Sequence, residues 1–381
     1  MTYFDNNATT RVAPEVFEAM KPYLTEYYGN PSSAYNFGRD VRNAIETSRE
    51  KLANLLGASE SNEVVFTSGG TESDNWAIFG TLEASPHKKH IVTTRVEHEA
   101  VRLVCEKLEK NNFEVIWLDV NQDGFLDLDE LKNSLREDTA LVSVMLANNE
   151  TGILFPVEKI AEVVKENSDA IFHADGVNAV GKIPVDLKST AIDLFSISGH
   201  KFHAPKGIGA LYIKNGVSLP SLKIGGGQES GRRAGTEAVH QIVALGAAAD
   251  LVKDFSAMEK VGALRDKLET EILDKFPNSH LNGTPDARFR LPNTSYISFE
   301  NLNGEAILAR LNDAGVCVST GSACNADAHT ASAVLQAMNI PYSKAMGAIR
   351  FSLGRYNTKA EVDYVLKVLP DMIEDLQNMA L

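Results

Sequence analysis

Apolar runs rich in β-branched and aromatic residues alternate with helical periods through the first half of the chain. The runs are EVVFTSG, HIVTTR, VIWLDV, ALVSVMLA and AIFHAD, and amphipathic segments such as TESDNWAIFGTLEA separate them. Two further runs, LFSISG and GALYIK, follow closely with no long helix between them. This order predicts an α/β fold whose large domain contains a mostly parallel, seven-stranded sheet flanked by helices.

A second, smaller unit is indicated beyond this sheet. A helical stretch from Glu237 through Phe276 leads away from it, and the runs SYISF, VCVST and IRFSLG then alternate with the helical segments GEAILARLNDAG and KAEVDYVLKVL. We therefore expect an α+β domain that a long helix joins to the large one. The large domain is expected to span residues 15–254, and the small domain residues 1–14 and 255–381.

The net charge of the chain limits the kinds of molecule that it can bind. The 381 residues contain 37 Lys and Arg against 51 Asp and Glu, for a formal net charge of -14. Such a chain lacks the basic surface that nucleic acids and anionic lipids require, and no apolar run approaches the length of a membrane span. Three cysteines and the polar opening MTYFDNNATT favour a reducing compartment, so we expect a cytoplasmic protein with no nucleic-acid or membrane partner.

The stretch DVNQDGFLDLDE, residues 119–130, matches the calcium loop of an EF-hand at its ligand and turn positions. An EF-hand loop follows a helix, whereas the strand VIWL runs into Asp119 here. Asp, Asn and Gly between a strand and a helix also suit a tight reversal, and acidic residues favour the first turn of the next helix. We expect a turn at this place and no bound metal.

A candidate phosphate site follows the first apolar run. The run EVVF leads into Gly69 and Gly70, and a helix is expected to begin at Thr71. Free N–H groups at the positive end of that helix, with a hydroxyl beside them, suit a phosphate. The same residues also occur in ordinary strand-to-helix turns, so this motif alone does not establish a phosphate site. It becomes informative only together with the ionisable residues at the ends of later strands.

Two later runs end in ionisable side chains. AIFHAD ends in Asp175, which suits either a helix cap or a site carboxylate. LFSISG delivers Ser198, His200 and Lys201. A lysine at the end of a core strand is costly unless it is paired or used covalently, because removal from water lowers the pKa of its amine toward the nucleophilic form. Pyridoxal phosphate requires a phosphate cradle, a carboxylate for its ring nitrogen and a lysine Schiff base, so the three parts together predict this cofactor.

Nine stretches carry a family resemblance. They are FDNNATTRVAPEV, YGNPSS, FTSGGTESDNWAI, VEHEAV, ANNETG, HADGVNAVGKIPVDL, SGHKFHAPKGIGALYI, GGGQESGRRAGTEAV and GSAC. From Phe4 to about Tyr356, the chain resembles the cysteine desulfurases of the NifS/IscS group, in the class V aminotransferase family. The resemblance implies a homodimeric fold type I enzyme that uses pyridoxal 5'-phosphate to take sulfur from L-cysteine. It would leave L-alanine and hold the sulfur as a persulfide for an acceptor protein such as an iron-sulfur scaffold.

The resemblance also implies a role for each site residue. Lys201 would bind the cofactor covalently, Asp175 would pair with its ring nitrogen, and His98 would stack on the ring and assist proton transfer. The residues implied to hold the cofactor are Gly70, Thr71, His98, Asn149, Asp175, Asn178, Ser198, His200 and Lys201, with Thr236 arriving from the partner subunit. Asn149 and Arg350 would hold the substrate carboxylate, the arginine by a bidentate pair.

The three cysteines differ in their surroundings. Cys105 lies on an apolar helical face and Cys317 in the run VCVS, so we expect both to be packing residues. Cys324 precedes the small, polar, aperiodic stretch NADAHTASA, which suits an exposed thiol that visits a distant site. The resemblance implies that the Cys324 thiolate attacks the substrate sulfur, and it allows a transient iron-sulfur cluster contact at this residue.

Two departures from the family pattern bear on the site. Gly176 and Asn178 stand where an alanine and a glutamine are common, and the shorter Asn178 implies a longer or water-bridged bond to the phenolic oxygen of the cofactor. After Cys324, the stretch NADAHTASA replaces the usual small residues and adds Asp327 and His329. We expect these added residues to alter either the pKa of the Cys324 thiol or the docking of the sulfur acceptor.

Alternative activities remain open at this point. A selenocysteine lyase, or a related lyase of the aminotransferase fold, would keep Lys201 and Asp175 but would not need Cys324 on a loop. A calcium-binding module would instead need helices on both sides of residues 119–130.

Overall fold

The computed structural model describes residues 1–321 and 331–380. Its strands are β1 (Thr2–Tyr3), β2 (Val64–Thr67), β3 (His90–Thr94), β4 (Glu114–Leu118), β5 (Thr139–Ser143), β6 (Ile171–Asp175), β7 (Leu194–Ser198), β8 (Gly209–Ile213), β9 (Ser279–Leu281), β10 (Thr294–Phe299), β11 (Val316–Cys317) and β12 (Ala348–Ser352). Its helices are α1 (Pro14–Met20), α2 (Pro22–Thr25), α3 (Asn36–Leu56), α4 (Gly70–Ala84), α5 (Glu99–Glu109), α6 (Leu128–Ser134), α7 (Val157–Asn167), α8 (Val239–Val252), α9 (Ser256–Lys275), α10 (Gly304–Asp313), α11 (Ala333–Ala337), α12 (Tyr342–Ala345) and α13 (Lys359–Ala380).

Seven of the described strands form one sheet in the order β2-β8-β7-β6-β5-β3-β4. β8 runs antiparallel to β2 and β7, and the other neighbours are parallel. Every residue of β3, β5, β7 and β8 is buried, which explains why these runs lack the apolar-polar alternation of half-exposed strands. The predicted seven-stranded, mostly parallel sheet is confirmed.

One edge of this sheet positions the site. Because β8 reverses direction between β2 and β7, the strands β2, β6 and β7 all end at the same edge. There β2 leads into the amino terminus of α4, β6 ends in Asp175, and β7 leads into the 3-10 turn Gly199–Lys201. This is the edge at which open α/β sheets bind their ligands.

A smaller α+β unit is built on the antiparallel sheet β12-β10-β9. Its hydrophobic cluster is separate from that of the large sheet and includes Phe4, Ile297 and Val365. β1 pairs with β11, so the amino-terminal segment packs with this unit. The domain boundaries near residues 14 and 255 stay a prediction.

The stretch from Glu237 through Phe276 is two helices, α8 and α9, and the prediction of one long helix was wrong. The chain breaks at Asp254, whose carboxylate accepts hydrogen bonds from the backbone N–H and the hydroxyl of Ser256, both at 2.9 Å. A side chain that satisfies the first N–H of a new helix lets the chain change direction there. None of the described helices combines the length and the apolar character that crossing a bilayer requires.

Candidate active site

A cleft of about 240 Å³ opens at the edge where β2, β6 and β7 end. All of the implied cofactor residues except Thr236 line it, so the structure brings together side chains from five separate motifs. Arg350 lies beside the cleft without lining it. Cys324 lies outside the described residues.

The amino terminus of α4 contributes one wall of the cleft. Gly69 precedes the helix with a φ of 149°, and as a glycine it offers no side chain to the first N–H groups. A Cβ added at Gly70 would lie 2.7 Å from Cγ2 of Val177, so this position leaves no room for a side chain. Uncapped N–H groups at a helix start, with the Ser198 hydroxyl in the same cleft, form a donor set suited to phosphate.

Lys201 ends the 3-10 turn after β7, which confirms its predicted position at a strand end. Its Nζ donates hydrogen bonds to the backbone oxygen of Asn7 at 2.5 Å and to that of Ala8 at 3.1 Å. Both acceptors belong to the amino-terminal segment, which the sequence did not place at the site. These carbonyl groups hold the amine in position without carrying a negative charge.

Asp175 and Asp74 form an acidic floor to the cleft. Burial raises the pKa of Asp175, while His98, Lys201 and a 2.8 Å hydrogen bond from the Val177 N–H act in the opposite direction. Oδ1 of buried Asp74 has no hydrogen-bond partner among the described residues, and burial beside Asp175 holds the pKa of Asp74 well above its usual range. One oxygen of each carboxyl and one ring nitrogen of His98 lie within 4.8 Å of one another. Burial beside Asp175 therefore favours the protonated form of Asp74.

Two neutral histidines line the cleft. His98 caps α5, where its Nδ1 accepts a hydrogen bond from the Ala100 N–H at 3.1 Å and leaves Nε2 for the cleft. Partial removal from water lowers the pKa of His98, although Asp175 acts in the opposite direction. Burial, together with neighbouring Lys201, lowers the pKa of His200 to about 4. Neutral imidazoles can accept as well as donate protons.

Arg350 is already paired inside the protein. Its Nη1 donates to the backbone oxygen of Asn149 at 2.9 Å, and its Nη2 donates to Oδ1 of Asp5 at 2.7 Å. The Arg350 side chain is 5% exposed, and its Nε has no hydrogen-bond partner in the described part of the chain. The guanidinium that the resemblance assigns to the substrate therefore has an internal carboxylate partner.

Asn7 links several parts of the site and was missed by the sequence analysis. Its Oδ1 accepts hydrogen bonds from Nζ of Lys182 and Nδ2 of Asn293, both at 2.9 Å. Its Nδ2 donates to the backbone oxygen of Asn149 at 3.1 Å. Asp5, Asp74 and Lys182 were missed in the same way. The signal in the sequence for Asn7 was the pair of asparagines in FDNNATT. On composition alone, such polar residues are expected at the protein surface.

The remaining candidates lie away from the cleft. Thr236 is exposed. Cys105 is buried in α5, where burial raises the pKa of its thiol to about 12, and this confirms the expected packing role. Cys317 is half-buried in β11. Asp327 and His329, like Cys324, fall outside the part of the chain that the structure describes.

The EF-hand-like stretch folds as a turn. β4, and not a helix, runs into Asp119, as the sequence predicted. Oδ1 of Asn121 accepts hydrogen bonds from the N–H groups of Asp123 at 3.0 Å and Phe125 at 2.9 Å. Oδ1 of Asp119 accepts one from Nε of Arg95 at 2.7 Å. These side-chain oxygens close and brace a strand-to-helix reversal.

The residues of the cleft fit pyridoxal phosphate. The helix start supplies N–H donors for a phosphate, Asp175 supplies a carboxyl group for the ring nitrogen, and Lys201 supplies an amine. Asp74 lines the same cleft, and its buried Oδ1 has no hydrogen-bond partner among the described residues.

Known proteins resemble the chain over its whole length. The family model described as "Aminotransferase class-V" matches residues 2–365. A "Cysteine desulfurase" of Trichormus azollae is 54% identical over 380 residues, covering 99% of this chain and 94% of the relative. "Cysteine desulfurase NifS" of Azotobacter vinelandii is 47% identical over 380 residues, with the same shares of 99% and 94%. These relatives do not favour the alternative of a selenocysteine lyase.

Two solved structures extend the likeness to the fold. A NifS-like protein superimposes with a TM-score of 0.91 at 39% identity, covering 99% of both chains. SspA in complex with cysteine gives a TM-score of 0.83 at 34% identity, covering 94% of this chain and 100% of that one. Both likenesses cover the large sheet and the smaller unit together.

Proposed function

Because the chain belongs to the class V aminotransferase family, and within it to the cysteine desulfurases of the NifS/IscS group, we propose that its cleft removes sulfur from L-cysteine with the help of pyridoxal phosphate. The observation that carries the proposal is the meeting of Lys201, Asp175 and His98 with the start of α4 in one cleft. The carbon–sulfur bond of the substrate breaks and a sulfur–sulfur bond to Cys324 forms. A proton goes to the substrate carbon, so the products are L-alanine and a persulfide.

We propose that the cofactor is held along the length of the cleft. Pyridoxal phosphate, when bound, supplies an electron sink next to the amino group of the substrate. The first N–H groups of α4, with Thr71, Ser198 and His200, would hold its phosphate. Asp175 would pair with its ring nitrogen, and the Lys201 amine would attach it covalently. An ionised carboxylate at Asp175 would favour the protonated form of that ring nitrogen.

The substrate is oriented and deprotonated by residues of this chain. Asn149 and Arg350 bind its carboxylate, which competes with Asp5 for the guanidinium because Arg350 is paired with Asp5 in this structure. Lys201 Nζ moves protons at the substrate carbons. Neutral His98 assists, because a neutral imidazole can take up a proton and then return it. The Cys324 thiolate then accepts the sulfur.

We also propose a homodimer in which Thr236 serves the cleft of the partner. Thr236 is exposed and lies outside the cleft of its own chain. The loop that carries it also exposes Leu222 and Ile224, the latter to 95% of its surface. Covering such apolar side chains with a second chain is favourable. A sulfur-acceptor protein, such as an iron-sulfur scaffold, and a cytoplasmic location belong to the same proposal and rest on the resemblance.

The test is to incubate the purified protein with L-cysteine and to measure alanine, sulfide and protein persulfide together. We expect alanine to form with a persulfide on the peptide that contains Cys324, and sulfide to appear only after a reductant is added. The Lys201→Ala variant is the control and should form none of the three. Alanine that forms with free sulfide and no protein persulfide would instead identify a lyase.

A further inference from the structure

Lys182 is a buried lysine that the proposed reaction does not use. It is 6% exposed, and its Nζ donates hydrogen bonds to Oδ1 of Asn178 at 2.7 Å and to Oδ1 of Asn7 at 2.9 Å. Burial lowers the pKa of Lys182 well below its usual range, and the nearby cations Lys201 and Arg350 act in the same direction. A neutral amine keeps two N–H groups, which match the two amide oxygens.

These contacts fix which way the Asn178 amide faces. Its Oδ1 accepts from Lys182, and its Nδ2 donates to the backbone oxygen of Asn148 at 3.3 Å. A backbone carbonyl can only accept, so exchanging the oxygen and the nitrogen of this amide would break its bond to Asn148. Asn178 also lines the cleft, and its Nδ2 carries a second N–H that neither contact uses.

The other end of this arrangement is equally fixed. Asn7 is 1% exposed, and its Oδ1 also accepts a hydrogen bond from Nδ2 of Asn293 at 2.9 Å. Its Nδ2 donates to Oγ1 of Thr294, again at 2.9 Å. The oxygen that receives Lys182 therefore cannot turn away without breaking bonds to two neighbours. A lysine held on one side by a fixed amide can hold a second amide in place.

We propose that Lys182 is a positioning residue for the cofactor, because it holds the Asn178 amide so that the remaining N–H of Nδ2 faces the cleft. This inference rests on the proposed function, since that N–H would meet the phenolic oxygen of pyridoxal phosphate. Asparagine is one methylene shorter than the glutamine common at this position in the resembling family. A shorter donor reaches its acceptor over a narrower range of orientations, so it depends more on the anchor behind it.

The test is a double-mutant cycle of Lys182→Met and Asn178→Ala in the full-length protein. The readouts are the dissociation constant of pyridoxal phosphate and the pH midpoint of the absorbance of the bound cofactor. Lys182→Met should weaken cofactor binding about five- to tenfold in the wild-type background but less than about twofold in the Asn178→Ala background. The pH midpoint should shift in the first background and not in the second.

Equal effects in both backgrounds would show that Lys182 does not act through Asn178, and they would overturn the proposal. Unchanged cofactor binding by Lys182→Met would also overturn it. Lys88→Met is the matched control, because Lys88 is another buried lysine, bonded to the backbone oxygen of Thr139 at 3.2 Å and absent from the cleft lining. It should leave both readouts unchanged.

A variant that retains a donor covers the case in which Lys182→Met does not fold. Lys182→Gln should weaken cofactor binding by a smaller factor and show the same dependence on Asn178, and the absence of that dependence would overturn the proposal. A wild-type protein that bound no pyridoxal phosphate would refute the proposed function instead, so the two failures are distinguishable.

Discussion

Oδ1 of Asp5 accepts a hydrogen bond from Nη2 of Arg350 at 2.7 Å, which joins residues 345 positions apart in the chain. The arginine proposed to bind the substrate is thus held by a carboxylate of the protein itself. A substrate carboxylate must compete with this internal partner for the guanidinium. The affinity of the substrate therefore depends on how much more strongly Arg350 binds the substrate carboxylate than it binds Asp5.

Asp5→Asn should tighten substrate binding and destabilise the protein. Asparagine keeps an oxygen acceptor for Arg350 but removes the competing charge, so we expect the KM for L-cysteine to fall about two- to fivefold. The free energy of unfolding should drop by about 1–3 kcal/mol, because a buried guanidinium loses its counter-charge. Initial rates and urea unfolding measure the two effects. Asp286→Asn, which alters an exposed pair with Arg288, is the control and should change neither. A higher KM would mean that the charge of Asp5 aids substrate binding.

Lys201→Ala should abolish covalent attachment of pyridoxal phosphate. Treatment of the wild-type protein with borohydride should fix the cofactor to the peptide that contains Lys201, as mass spectrometry can show. Alanine formation by the variant should fall more than about a hundredfold, because proton transfer by a positioned amine is lost. Lys206→Ala is the matched control from the same segment and should keep the attachment. A Lys201→Ala protein that trapped the cofactor at Lys206 would refute the assignment.

Cys324→Ala should separate cofactor binding from sulfur transfer. The cleft residues are untouched, so the cofactor should bind normally and its spectrum should still respond to L-cysteine. Alanine release should collapse, because water is a poor substitute for a positioned thiolate. Cys105→Ala should keep its activity and lose about 1 kcal/mol of stability through the small cavity it leaves. Cys317→Ala should also keep its activity. Persulfide on Cys105 or Cys317 in the wild-type protein would contradict this mechanism.

Glu97 should make the protein less stable as the pH rises. Its Oε1 accepts hydrogen bonds from Oγ1 of Thr94 at 2.7 Å and from the Met145 N–H at 3.1 Å, and burial raises its pKa from 4.5 to about 8. Between these two values the unfolded chain releases a proton that the folded protein keeps, so stability falls across this window. The glutamine in Glu97→Gln cannot titrate. The free energy of unfolding of this variant should therefore rise relative to that of the wild type, by about 2–4 kcal/mol, as the pH goes from 5 to 8.

Urea unfolding at several pH values measures this difference, and Glu72→Gln serves as a control of opposite sign. The hydrogen bonds of Glu72 to Arg233 and Ser68 lower its pKa to about 2 against the effect of burial. Its contribution is present above the unfolded pKa near 4.5 and is lost as the pH falls toward about 2. Glu72→Gln should therefore be less stable than the wild type at neutral pH. A Glu97→Gln protein with an unchanged pH profile would show that Glu97 is ionised in the folded state.

Mixed dimers should test the position of Thr236. The Lys201→Ala protein is expected to be inactive, and the Thr236→Ala protein to bind pyridoxal phosphate more weakly. In a mixed dimer, the cleft of the Thr236→Ala chain keeps its own Lys201 and receives Thr236 from the Lys201→Ala chain. The other cleft lacks both residues. Refolding the two variants together should therefore restore tight cofactor binding in about half of the mixed dimer sites. If Thr236 served its own chain, mixing would restore none.

The large sheet was predictable because its strands are buried on both faces and so produce long apolar runs between helical periods. Lys201 and Asp175 were predictable for a related reason, since polar residues at the ends of such runs stand out. The break at Asp254 was not, because one capping contact with Ser256 interrupts a pattern that stays helical on both sides. The contact of Asp5 with Arg350 and the contacts of Lys182 with Asn7 and Asn178 could not be predicted from the sequence either. Buried amides and charges follow no periodic pattern along the chain.

The amino-terminal segment leaves the ribosome long before the strand that holds it. Ser352 in β12 accepts hydrogen bonds from the backbone N–H groups of Asn6 and Asn7, through its carbonyl oxygen at 2.9 Å and its hydroxyl at 3.0 Å. Asn7 in turn supplies a carbonyl to Lys201. A nascent chain therefore cannot complete the cleft until β12 has emerged. We therefore expect the proposed cofactor to bind only after β12 has emerged.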